Sequence, residues 1–121
     1  MSVVNLSRHK NSYVARLREI LWIAVLRLCD VLWAARVRDS RLCLAGYKAA
    51  RELSQPVVAE EWIDRGLTAA APHWQLLRGK GDCHRQRAEW TDAQLRYSQA
   101  VDSAPRQAAL HALLARALMH C

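Results

Sequence analysis

A chain of 121 residues is long enough for one packed domain, and 52% hydrophobic with 24% charged residues is a composition that folds rather than stays disordered. With four glycines, three prolines, no phenylalanine and an abundance of alanine, leucine and arginine, it excludes a strand-rich fold and predicts an all-α one. The formal charge of +7 points toward an acidic protein, nucleic acid or anionic lipid as partner, unless the arginine excess reflects only genomic base composition.

Residues 1–10 are polar and basic without a period and are expected to fray. Asn11 or Ser12 can cap a helix predicted to run to about Arg38. Arg16, Glu19, Arg27, Asp30 and Arg38 mark one polar stripe along it, while Leu17, Leu21, Trp22, Val25, Leu28, Cys29, Leu32 and Trp33 make the remainder apolar. The apolar run Ile20–Ala35 is shorter than the ~20 residues that cross a bilayer, and Arg27 and Asp30 interrupt it. Residues 1–39 are therefore read as a tail and an amphipathic helix that caps the helices C-terminal to it. Contact with a partner, with a second copy or with a membrane surface remains the alternative use of that apolar face.

Asp39-Ser40 breaks the pattern and predicts a helix from Arg41 to about Leu53. Ser54-Gln55-Pro56 ends it and opens the next, Val57 to Ala70, since proline suits a first helical turn. Ala71-Pro72 repeats the device before Trp74 to Arg87. Thr91 with Gln94 has capping-box spacing and predicts a helix from near Asp92 to Asp102. Ser103-Ala104-Pro105 is expected to launch the last helix. Such short connections pack neighbouring helices antiparallel.

Sliding the sequence along itself by about 34 residues aligns Ala59 with Ala93, Ile63 with Tyr97 and Gly66 with Ala100. Each trio has i, i+4, i+7 spacing and so shares one helix face, with small residues where helices cross closely. Leu77, Gly81, Ala93, Tyr97, Ala100 and Pro105 carry the pattern of a tetratricopeptide repeat, and residues 40–121 resemble that family over about two and a half irregular units. Lys80 stands where the family usually has leucine, and His84 where it has an aromatic. Tyr47 occupies a small-residue position, with Gly46 one place early. The segment Leu114-Ala115-Arg116-Ala117-Leu118 matches a first helix without its partner, so the array either ends on a capping helix or continues beyond this chain.

The resemblance implies a TPR-like α-solenoid whose concave surface is lined by the first helix of each pair. On this sequence that surface would carry Arg41, Lys48, Arg51, Gln75, Arg78, Asp82, Arg85 and Arg116. The expected partner-binding residues are its basic members Arg41, Lys48, Arg51, Arg78, Arg85 and Arg116, because arginine forks onto carboxylates. The asparagines of the family's carboxylate-clamp subset are absent. Little aromatic interleaving accompanies the charge, which disfavours nucleic acid.

No phosphate loop, nucleophile elbow or HExxH helix occurs, so no catalytic residue, cofactor or metal site is assigned. Cys29, Cys43, Cys83 and Cys121 lack CxxC or framework spacing and suit a reducing cytoplasm. The expected function is a protein–protein interaction module that binds an acidic segment of a partner. Two alternatives stand beside it: an N-terminal adaptor or oligomerisation domain of a larger enzyme, and a peripheral membrane-associated helical protein.

Overall fold

The computed structural model describes residues 3–68 and 72–121, with side chains from residue 12 onward. Among these residues six helices succeed one another: α1 Val3–Ala34, α2 Ser40–Glu52, α3 Pro56–Leu67, α4 Trp74–Gln86, α5 Trp90–Ser103 and α6 Ala108–Met119. Each packs chiefly on its neighbours in sequence, and α2 also touches α4. The chain is thus an all-α array of antiparallel helix pairs, α2 with α3 and α4 with α5, flanked by α1 and α6.

The helix ends have local causes. Asp39 caps α2, its carboxylate accepting from the Arg41 backbone N–H at 2.9 Å. Pro56 opens α3. His73 caps α4 through its ring nitrogen, Nδ1 accepting from the Gln75 N–H at 3.1 Å. Arg36, Ser54 and Ala88 have φ of 67°, 55° and 59°, each just past a helix end. At Ser54 and Ala88 the chain closes the paired bonds of a Schellman turn, Gln55 N–H to Ala50 C=O and Glu89 N–H to His84 C=O, both at 2.9 Å.

Several boundaries depart from the sequence reading. The first helix starts at Val3, not at Asn11 or Ser12, because nothing between them breaks a helix; it ends at Ala34 rather than Arg38, where Arg36 turns left-handed and Val37 N–H bonds Leu32 C=O. The Thr91–Gln94 capping box does not form: Ala88 releases the chain early, Glu89 becomes the cap residue, and Thr91 lies inside the first turn of α5. Pro105 does not start the last helix, since Ala104 to Gln107 first close a separate turn and α6 begins at Ala108. Ala70, where α3 was expected to end, and Ala71 lie outside the described residues; α3 ends at Leu67.

The core runs through the pairs. Leu42, Cys43, Tyr47 and Ala50 of α2 meet Ala59, Trp62 and Ile63 of α3, with Cys29 of α1 and Leu76 of α4 at the edges. Ala93 and Tyr97 of α5 pack with Ala117 of α6, and Ala100 packs with Leu77 and Leu110. Ala59, Gly66, Ala93 and Ala100 are buried at the crossings as the repeat spacing requires. Two glycines set the helix separations. A Cβ on Gly46 would lie 2.4 Å from the Trp62 ring, and one on Gly81 would lie 2.6 Å from the Tyr97 ring. In each pair, then, a glycine of the first helix receives an aromatic ring of the second.

Candidate functional site

The expected basic residues do not all converge. Lys48 and Arg51 of α2 and Gln75 and Arg78 of α4 line one cleft of about 170 Å³, floored by Tyr47. No carboxylate belongs to that lining. Arg51 is steadied by Tyr47: its guanidinium lies over the ring at 5.6 Å and donates to the hydroxyl at 3.5 Å. Arg78 approaches Asp82 at 4.0 Å across one helical turn. Arg85 also reaches Asp82, at 3.6 Å, but does not line the cleft. Arg41 points to solvent at the start of α2 beside Asp39, and Arg116 is exposed on α6. Neither lines the cleft.

Asp82 is the counter-charge of this region. Its Oδ1 accepts a 2.5 Å hydrogen bond from the buried Tyr97 hydroxyl. Burial, then that bond and the Asp82 charge, raise the Tyr97 phenol far above its usual range, so the proton stays on tyrosine. One carboxylate thereby orients Arg78 and Arg85 while anchoring α4 to α5.

An apolar pocket of about 190 Å³ adjoins the cleft through the shared residues Tyr47 and Arg51. Pro56, Ala59 and Ile63 of α3 form one wall, and Gly79, Asp82, Cys83 and Gln86 of α4 the other. Gly79 admits Tyr47 closely, since a Cβ there would meet its ring and hydroxyl at 3.0 Å. Burial raises the Cys83 thiol pKa, which keeps it neutral against the apolar wall. The sequence reading missed this pocket. Its lining comes from three helices and the turn between two of them, so no local spacing announces it; Gly79, two residues before the repeat glycine, was the one available sign.

Apart from the cleft, an ion-pair network joins α3 to α4. The Lys80 ammonium sits 2.9 Å from Glu60 and 2.8 Å from Asp64, and Arg87 also binds Glu60. Hydrogen bonds from Arg87 and Lys80 hold the Glu60 carboxyl below its ordinary pKa. Burial alone would lower the Lys80 pKa, but bonds to Asp64 and Glu60 outweigh it and the net shift is upward. A lysine at the repeat's usual leucine position is thus satisfied by carboxylates of the preceding helix. His84, Glu89 and Asp92 bring three potential ligand atoms within 4.8 Å of one another. Glu89 there already faces His84 at 3.2 Å and Arg87 at 3.5 Å.

No protein-family model matches the chain, and no curated protein sequence matches it. Among solved structures it is similar to PcrH, in a crystal structure described as PcrH in complex with the chaperone binding region of PopD. The TM-score is 0.61 at 19% identity, covering 98% of this chain and 90% of that one. That likeness extends over the whole array and shows a shared fold.

Proposed function

We propose that this chain is a protein-binding module of the tetratricopeptide type, taking an extended acidic segment of a partner protein in the cleft between α2 and α4. The observation that carries the reading is the convergence of Lys48, Arg51 and Arg78 with Gln75 on a cleft that, among the described residues, has no carboxylate in its lining, next to a largely apolar pocket whose one carboxylate, Asp82, is bonded to the Tyr97 hydroxyl. Two arginines and a lysine held on facing first helices can fork onto carboxylates, and the pocket can take an aliphatic side chain of the same segment. PcrH, which shares the fold, is described as bound to a region of another protein. Within this reading residues 1–39 cap the repeat array of residues 40–121, and the module works in a reducing cytoplasm, which its free thiols suit.

The test begins with capture of partners by the intact chain and continues with charge reversal. Lys48→Glu with Arg51→Glu should weaken capture at least ~10-fold while leaving the melting temperature nearly unchanged, because exposed charges contribute little to folding. Arg116→Glu, outside the cleft, should leave binding as it was. Binding should also fall as salt rises. Equal capture by the doubly reversed protein would exclude the cleft as the binding surface.

A further inference from the structure

α1 is 32 residues long, more than twice the length of α2, so α2 cannot cover all of it. Val25, Leu26, Leu32 and Trp33 pack on the core around Cys29, on one side of the helix. A second apolar arc is left bare. Val14, Leu17, Leu21, Leu28 and Val31 are 53%, 58%, 65%, 57% and 63% exposed, and Ala24 between them is also exposed.

Their spacing is regular. Val14, Leu17, Leu21, Ala24, Leu28 and Val31 alternate in steps of three and four residues, the a and d positions of a heptad. Arg16, Glu19 and Asp30 lie off this line. An apolar repeat of 3.5 residues is the pattern by which a second helix packs, knob into hole. The seam spans roughly 26 Å.

We infer that this seam pairs with a second copy of the same chain, the two α1 helices running antiparallel. In that orientation the residues complement themselves. Val14 meets Val31 of the partner subunit, Leu17 meets Leu28 of the partner subunit, and Leu21 meets Ala24 of the partner subunit. Every layer recurs across the two-fold axis, as an isologous interface demands. The alanine sets a small residue opposite a large one on each side of the axis. A parallel pair would instead face alanine with alanine and leave a void. With the exposed Tyr13 and Ile20 at its flanks, the seam offers on the order of 700 Å² per protomer, close to the ~800 Å² that a standard stable interface takes from each partner. A membrane surface fits less well, since Trp22 and Trp33, the side chains suited to anchor there, lie on the arc turned toward α2 and α3.

Sedimentation of the whole chain tests this. The wild type should be a dimer that dissociates on dilution, and Leu21→Glu with Leu28→Glu should be a monomer of unchanged helicity, because both side chains are exposed in the single chain. Orientation is read by oxidation in a Cys121→Ser background. Val14→Cys together with Val31→Cys should cross-link into a covalent dimer, whereas Val14→Cys alone should not. Should the glutamates cost the fold, the cysteine pair decides. A wild type that stays monomeric at every concentration, a dimer that survives both glutamates, cross-linking by Val14→Cys alone, or a monomer that floats with anionic phospholipid vesicles would each overturn the inference.

Discussion

In the pair α2–α3 a tryptophan ring enters the space beside Gly46, and in α4–α5 a tyrosine ring enters the space beside Gly81. Both rings are almost fully buried, so the two pairs solve one packing problem with different side chains. Trp62 is supported by its surroundings: Trp33 of α1 meets it edge-on at 6.0 Å, and Arg65 lies 4.6 Å from its ring. Tyr97 instead carries its own anchor, the hydroxyl bonded to Asp82. The first pair therefore leans on α1, whereas the second holds its register by a polar bond that also positions the arginines beside the cleft. Shape is repeated between the units; chemistry is where they diverge, and the divergence falls beside the α2–α4 cleft.

The largest effects should come from filling the glycine spaces. Gly46→Ala and Gly81→Ala each place a Cβ inside an aromatic ring's contact distance, and each should cost roughly 1–3 kcal/mol in denaturant melts despite alanine's better helix propensity. Similar losses would confirm that the pairs are equivalent; a neutral result at one would break the comparison there. Tyr97→Phe should cost about 1 kcal/mol, because Asp82 retains Arg78 and Arg85 as partners.

The acid response of α4 comes next. Burial, then the Lys48 charge, lowers the His73 pKa, so the neutral ring that caps α4 is favoured in the folded state. Its contribution is fully present above the unfolded value of about 6.5 and is lost as pH falls below that toward the folded pKa. His73→Asn should retain the cap while flattening the stability profile below about pH 6.5. An unchanged profile in that variant would assign the acid loss to other groups. Smallest is the relief of left-handed backbone at the ends of the two first helices. Ser54→Gly and Ala88→Gly should each stabilise by a few tenths of a kcal/mol, the lower strain slightly exceeding the added freedom of the unfolded chain.

Much of this architecture was legible because it is local. Ala59, Ala93 and Ala100 announced the crossings by spacing, and Pro56 announced the start of α3. Gly46 was harder. The sequence register set Ile63 against Tyr97, and the structure pairs Trp62 with Gly46 in the way Tyr97 pairs with Gly81, one residue out of that register. A packing match between helices depends on their rotation, which a linear alignment does not contain. The left-handed ends at Arg36, Ser54 and Ala88 were hidden because none is a glycine. In the candidate site Lys48, Arg51 and Arg78 were found from the repeat face. Arg41 and Arg116 fall outside the cleft because they sit at the start of α2 and on α6, beyond the α2–α4 contact. The apolar pocket needed three helices in place before it existed at all.

Whether the α2–α4 cleft binds an acidic segment is decided by an NMR titration. A short peptide with two or three carboxylates beside one leucine would be added to the isotopically labelled chain. Shifts should cluster at Lys48, Arg51, Gln75 and Arg78 and around Ile63 and Gly79, and should diminish in high salt. Shifts centred on α1 or α6, or none when a captured partner's own acidic segment is used, would contradict binding in the cleft.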